Sequence, residues 1–410
     1  MFISDWEGYE LRFANRTVNL YEESHDLIDM MRQVDMPDMI NFSGGFPSPE
    51  GYPIFDIKTA MIEVLRKDAK AALSYGSTVG IDSLREHISE RMNDKFSLKT
   101  QKDEIIILSG SQQGLDLSGL LFINPGDVVI FEKPSYLGAL NAMKPYEAKL
   151  IGVNMDDDGL NLEELKKVLD SYGDKVKVIY VNPDHQNPTG RSWSKKRRED
   201  FIELVEGYDV AVLEDGAYGE ISYTGNTEKP LMFYDKKGQV VYLGTFSKIL
   251  CPGLRIGWIC ASKELIEKYL MLKSSVDLSG ATILQMVVSH YLDTKDIDKH
   301  ISDIVDLYKR RRDVMLDMLN KYFPADVEYN VPRGGLFIWV TLPDGKSAGE
   351  LLRRAVKRKV IFMPGEAFFP DREDERSFRL NFTNMSDANI AAGMEILGEI
   401  TSDYLSRCYK

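Results

Sequence analysis

The stretch GTFSKILCPGLRIGW, positions 244–258, sets Ser247 and Lys248 after a turn of small residues and Arg255 a little further on. A lysine at the edge of an apolar run is costly unless it is paired or put to use. Similar polar residues follow other apolar runs. EIIIL (104–108) leads into Ser109, Gly110, Ser111 and Gln112, and DVVIF (127–131) leads to Tyr136 in EKPSYLGAL. KVIYV (177–181) leads to Asn187 in NPDHQNPTG, and VAVLED (210–215) ends in Asp215 with Tyr218 three residues on. VVYLGT (240–245) leads into Ser247 and Lys248.

Two of these groups suggest a ligand. Gly110, Ser111 and Gln112 open a helix, where free N–H groups and the helix dipole favour a phosphate. Ser247 and Arg255 supply a hydroxyl and a charged fork for the same anion. A plain capped turn is the simpler reading of Gly110–Gln112 taken alone. Asp215 ends an apolar strand, so an ionised carboxylate there needs a cationic or hydrogen-bonding partner, such as a protonated ring nitrogen. Tyr218 would donate to a ring oxygen. A solvated strand-end aspartate beside a core tyrosine fits equally well.

The elements that position these groups alternate. Six apolar strands, the five above and RIGWICAS (255–262), are separated by helical patterns between about 50 and 290. Strands apolar on both faces are covered by helices on both sides. NLEELKKVL carries its own start signal, with Asn161 as cap and Glu164 three residues later. The expected fold is therefore α/β with a mainly parallel sheet. Every polar candidate sits at the carboxyl end of a strand, the edge where such sheets bind ligands.

Around this core, residues 1–45 read as an arm with a helix near Glu22 to Arg32, 46–290 as the large domain, and 291–410 as a smaller α+β domain. A long helix near 265–295 is expected to bridge the two. DIVDLYKRRRDVMLDMLNKYF reads as a long amphipathic helix whose basic run, YKRRRD (308–313), is a solvated face. GGLFIWVTL and SFRLNFT read as strands.

The chain has 410 residues, enough for more than one core. A net charge of −13 argues against nucleic acid and anionic membrane as partners. Three cysteines, Cys251, Cys260 and Cys408, form no CxxC pair, so neither a disulfide framework nor a thiolate zinc site is expected. His25, His87, His290 and His300 have no metal-ligand spacing. No secretory signal or membrane span is expected, and a cytoplasmic location fits. No GxGxxG follows a strand and no GxxxxGK[ST] occurs, which leaves little support for dinucleotide or P-loop binding.

The ordered set YG…GSQQGLDL…PSY…NPTG…EDGAY…SKILCPGLRIGW…RLNF resembles the fold-type I pyridoxal-phosphate enzymes, class I/II aminotransferases. Within them it is similar to the group holding 2-aminoadipate and kynurenine aminotransferases and the effector domains of MocR-type regulators. The resemblance spans nearly the whole chain. It implies a large domain with a sheet of the seven-stranded type, helices on both faces, and a smaller α+β domain.

It also implies roles. Lys248 would join the cofactor aldehyde as a Schiff base and afterwards act as base at the substrate carbon. Asp215 would hold the pyridine nitrogen protonated, Asn187 and Tyr218 the phenolic oxygen, and Tyr136 would stack on the ring. Gly110, Ser111, Gln112, Ser247 and Arg255 would hold the phosphate, with Tyr75 reaching over from a second subunit of a homodimer. Arg379 would clamp the substrate α-carboxylate, with Asn187 beside it, and Gly44 and Gly45 would let the arm approach. The implied reaction is ping-pong amino-group transfer between an amino acid, such as 2-aminoadipate or an aromatic donor, and a 2-oxo acid. A C–S β-lyase and a cofactor-binding sensor without its DNA-binding domain are the competing readings. Asp184 and His185 stand where the family often has apolar residues, which leaves side-chain preference open. His185 reads either as a substrate contact or as a hydrogen-bonded loop residue, and Arg12, Arg16 and Arg333 as possible substrate contacts or surface partners.

Overall fold

The computed structural model describes residues 14, 16, 17 and 38–406. The helix expected near Glu22 to Arg32, and Arg12, His25 and Cys408, lie outside the described residues.

An eight-stranded sheet forms the centre. Across it the strands run Ile105–Leu108, Gly257–Cys260, Val240–Thr245, Ala211–Asp215, Val176–Val181, Val128–Lys133, Lys149–Asp156 and Gly159–Leu160. The five from Val240–Thr245 to Lys149–Asp156 are mutually parallel, whereas Gly257–Cys260 runs antiparallel to both neighbours. Successive side chains point to opposite faces. Thus Val178, Tyr180, Leu213 and Leu243 enter one apolar core and Ile179, Val181 and Val212 another. All six expected strands are present. Lys149–Asp156 was not among them, because near the sheet edge it keeps several residues partly exposed and lacks a continuous apolar run. The helix Leu162–Tyr172 starts as its sequence predicts, with Asn161 Oδ1 accepting the Glu164 N–H at 3.0 Å.

The second sheet has four strands, ordered Glu328–Tyr329, Phe337–Thr341, Ser377–Asn381, Met363–Pro364, all antiparallel. Helices Ile297–Tyr322, Ala348–Lys357 and Asp387–Ser406 accompany it. The short strand Ile40–Asn41 pairs parallel with Val360–Ile361, which ties the residues just after position 38 to this part of the fold. One apolar cluster runs from Ile105 and Tyr218 through Phe42 to Leu336 and Phe378, so the two sheets share a continuous core.

Two expectations are corrected. The stretch 265–295 is not one helix but two, Lys263–Val276 and Thr282–Thr294. Asp277 binds Lys273 Nζ at 2.6 Å and Gln113 Nε2 at 2.7 Å, and Leu278 takes a φ of +60°, which turns the chain out of the helix. The run YKRRRD is not wholly a solvated face. The helix Ile297–Tyr322 buries Ile301, Ile304, Tyr308, Arg311, Met315 and Leu319, so the second arginine of the run falls on the inner stripe. Arg311 donates to Ser48 Oγ and to Thr383 O, both at 2.7 Å, while Lys309 and Arg310 stay exposed. Among the described residues no helix is long and apolar enough to cross a membrane.

Candidate active site

The carboxyl ends of the central strands face a cavity of about 900 Å³, closed on the other side by residues 43–46 and by Met363, Phe368 and Arg379. Ser111, Gln112, Tyr136, Asn187, Asp215, Tyr218, Ser247, Lys248, Arg255, Arg379, Gly44 and Gly45 all line it.

Lys248 follows the strand Val240–Thr245. Its Nζ donates to the carbonyl of Gly45 at 2.9 Å and lies 6.0 Å from the centre of the Tyr218 ring. Burial, reinforced by the charges of Arg379 and Arg255 and opposed by Asp215, brings the amine down to about 8. Asp215, at the end of Ala211–Asp215, is almost fully buried. Tyr180 O–H donates to its Oδ2 at 2.8 Å and the Ala217 N–H to its Oδ1 at 3.2 Å. Burial raises this carboxyl above its usual range, while these two donors and Lys248 pull it back.

Arg379 sits mid-strand in the small sheet, opposite Trp339 on one side and Met363 on the other. Its guanidinium donates to Asn187 Oδ1 at 2.7 Å and to Ser43 O at 2.5 Å, and lies 4.3 Å from the Phe337 ring centre. Burial lowers it to about 10, so it stays charged at neutral pH. Its buried Nε has no hydrogen-bond partner among the described residues. Asn187 also donates to the Tyr218 hydroxyl at 3.4 Å.

At the other end of the cavity, the helix Ser111–Phe122 begins without a side-chain cap and without an acidic residue in its first turn. Gly110 precedes it at a φ of +86°, and a Cβ there would lie 2.3 Å from Arg255 Nη2. Arg255 itself donates to Ser109 O at 3.1 Å. Thr245 Oγ1 holds Ser247 Oγ at 2.9 Å. Gln112 Nε2 donates to Gly138 O at 2.8 Å, and the Tyr136 hydroxyl to Gln112 Oε1 at 3.4 Å.

Some expected contacts lie elsewhere. Tyr75 is 89 % exposed and does not line this cavity within one chain. Arg16 and Arg333 are exposed and are not among the lining residues. His185 is a buried loop residue: its Nδ1 and backbone N–H share Ser192 Oγ, both at 2.9 Å, and its ring packs on Gly334. Burial lowers it to about 4, so it is neutral at pH 7. Asp184 forms an ion pair with the buried Arg198 at 2.6 Å. Conversely, Tyr180 and Asn182 were missed as contributors. A tyrosine in the otherwise aliphatic KVIYV, and an asparagine directly after it, were the available signals. Among the described residues no cluster of His, Cys, Asp or Glu side chains could hold a metal ion.

A mixed, mainly parallel sheet with this cavity along its carboxyl edge and a small α+β partner is the architecture of the type I aminotransferases. The family profile for aminotransferase class I and II matches residues 37–397, and the chain belongs to that family. It is similar to aromatic-amino-acid aminotransferase 1 of Thermococcus litoralis, with 40 % identity covering 97 % of this chain and 96 % of that one. It is also similar to 2-aminoadipate transaminase of Thermus thermophilus, with 32 % identity covering 92 % and 94 %. Among solved structures, Pyrococcus horikoshii kynurenine aminotransferase in complex with PMP superposes with a TM-score of 0.91 and 41 % identity, covering 96 % of this chain and 97 % of that one. The protein is a pyridoxal-phosphate-dependent aminotransferase that transfers amino groups of amino acids.

Proposed function

We propose that the cavity residues divide the transfer reaction among themselves, with an aromatic or 2-aminoadipate-like amino acid as donor and a 2-oxo acid as acceptor. The residues fit the cofactor. The uncapped helix start at Ser111, with Ser247 and Arg255, matches a phosphate. Asp215 matches a protonated ring nitrogen, Asn187 and Tyr218 a phenolic oxygen, Tyr136 a ring face, and Lys248 an aldehyde. When bound, pyridoxal 5′-phosphate supplies the electron-withdrawing ring that stabilises negative charge at the substrate carbon.

The chain's own residues do the rest. Arg379 offers a fork to the substrate α-carboxylate, and its unpartnered Nε supports a ligand role. Asn187 buttresses it. Gly44 and Gly45 keep the covering segment close to the substrate. The Lys248 amine would hold the cofactor and, when free, would take the proton from the substrate Cα. An amine near pH 8 is well matched to that transfer. In the second half of the ping-pong cycle the same residues would bind the 2-oxo acid and supply the proton to its Cα.

The observation that carries this reading is Lys248, a partly buried lysine with no carboxylate among its hydrogen-bond partners in the described residues, set between Asp215 and Arg379. The donor class is supported by the apolar wall of Phe46, Leu137, Met363 and Phe368, and by the relatives' names. We also propose a homodimer in which Tyr75 completes the phosphate site of the neighbouring subunit, and a cytoplasmic location, which the free thiols Cys251 and Cys260 support.

Borohydride reduction of the loaded enzyme is expected to fix a pyridoxyl group on Lys248, as read by peptide mass spectrometry. Lys248→Ala is expected to fold, to yield no adduct and to lose about 10²–10⁴-fold or more of its turnover, the range a positioned proton-transfer group commands. Aromatic amino acids and 2-aminoadipate are each expected to bleach the visible absorption of the wild type. An adduct at another lysine, or full turnover in the alanine variant, sinks the assignment.

A further inference from the structure

Glu132 lies near the end of the strand Val128–Lys133, fully buried and outside the cavity lining. Its Oε2 accepts the Asn182 N–H and Gln186 Nε2, both at 3.0 Å, and its Oε1 accepts Trp193 Nε1 at 2.9 Å. All three partners are donors, so an ionised carboxylate satisfies them without a proton of its own that would need an acceptor. Burial, with the negative charge of Asp215 added, lifts this carboxyl to about 7, while the three donors pull it down. A strand here has no need of so costly a group.

The donors lead to the active site. Asn182 Oδ1 accepts the Asn187 N–H at 2.8 Å, and Asn182 Nδ2 donates to the carbonyl of Asp215 at 2.6 Å. Gln186 immediately precedes Asn187. It donates a second time, to Pro134 O at 2.8 Å, and accepts Thr189 Oγ1 at 2.5 Å. Asn187 in turn accepts from Arg379 and donates to Tyr218. The segment from 182 to 190 belongs to no helix or strand, so these side-chain bonds set where Asn187 points.

We propose that Glu132 is a positioning residue: its carboxylate clamps Asn182 and Gln186 so that Asn187 stays aimed at both Arg379 and the cofactor. The inference rests on the role of Asn187 given above. It predicts that Glu132 acts on the reaction through Asn187 and not separately.

The test uses the holoenzyme with Glu132→Gln. The amide has one oxygen, so whichever way it turns an N–H group confronts a donor. The midpoint of the pH titration of the cofactor's visible absorption is expected to move by about 0.7 pH unit, one hydrogen bond's worth. A loss of about tenfold in kcat/KM, including a raised KM for the amino donor, is expected from an outer support of this kind. Deuterium uptake is expected to rise at residues 182–190 more than elsewhere, in the cofactor-free protein as well. In an Asn187→Ala background, itself shifted in midpoint, adding Glu132→Gln is expected to move the midpoint no further.

A lower Tm with unchanged midpoint and KM makes Glu132 a structural residue and overturns the proposal. Equal shifts in both backgrounds also overturn it. An unshifted midpoint in Asn187→Ala alone defeats the assigned role of Asn187, and this inference with it. Where Glu132→Gln does not fold, Gln186→Leu cuts one of the same bonds and is read against the same outcomes.

Discussion

At the scale of the residue, Lys248, assigned the proton transfer in the proposed reaction, is held at a cost in stability. Its folded-state amine titrates at about 8, against an ordinary value of 10.5. Below pH 8 both folded and unfolded chains hold the proton, and the penalty of burying the charge is fully present. Between pH 8 and 10.5 the unfolded chain binds the extra proton, so the stability of the cofactor-free protein rises with pH through that window. Lys248→Met keeps the length and removes the charge. The cofactor-free methionine variant is expected to be more stable than wild type at pH 7 by on the order of 2 kcal/mol. That advantage should shrink as pH climbs from 8 to 10.5. Urea denaturation of both proteins across this range checks it, since the difference between them cancels the other titrating groups. Two parallel stability curves would mean that Lys248 is not the strained cation described here.

At the scale of the element, the phosphate cradle depends on backbone approach more than on side chains. A Cβ on Gly257 would stand 2.6 Å from the Ser111 N and 2.8 Å from the Gly110 carbonyl carbon. Both contacts are backbone, so neither can swing aside. Gly257→Ala is expected to push the strand Gly257–Cys260 and the helix start apart, costing about 1–3 kcal/mol as overpacking does. It is also expected to weaken binding of inorganic phosphate to the cofactor-free protein. Thermal melts and phosphate titration read the two effects, and a fully native phosphate affinity would show that the cradle tolerates displacement. Such close packing also explains what the sequence makes legible. Strands buried on both faces announce themselves as apolar runs, and the residues following them reach the cavity because the parallel sheet delivers them all to one edge. Asn182 and Tyr180 were harder to see, because their partners come from other strands. The break at Asp277 was hidden because the bond that draws it out comes from Gln113, more than a hundred residues away in sequence. Arg311 looked solvated because neighbouring basic residues conceal a heptad-like stripe that only the packed helix reveals.

At the scale of the whole molecule, the question is what covers the apolar surface beside the cavity. Leu73 is 73 % exposed, Tyr75 89 %, Met271 67 % and Leu278 54 %. The loop bearing Leu73 and Tyr75 is tied to the second helix of the broken pair, where Thr282 Oγ1 donates to Ser74 O at 3.1 Å. Asp277, beside Leu278, binds Gln113, whose Oε1 accepts the Ser109 N–H at 2.8 Å, so this surface is continuous with the phosphate end of the site. Exposed apolar residues in this region are consistent with the interface of the proposed homodimer. A charge at position 73 costs little in a lone chain, where it meets water, but is expensive when a partner buries it. Leu73→Glu is therefore expected to leave the fold and Tm of the isolated chain nearly intact, to shift sedimentation from dimer to monomer, and to strip the protein of cofactor on dialysis. In the proposed homodimer Tyr75→Phe should behave differently: it would keep the apolar contact, stay dimeric, and lose only the hydroxyl assigned to the neighbouring phosphate, weakening cofactor affinity about five- to tenfold for one hydrogen bond. The two variants together separate assembly from ligation. A monomeric Leu73→Glu that retains cofactor as tightly as wild type would mean that each chain holds its phosphate alone, and the second subunit would then have no part in the site.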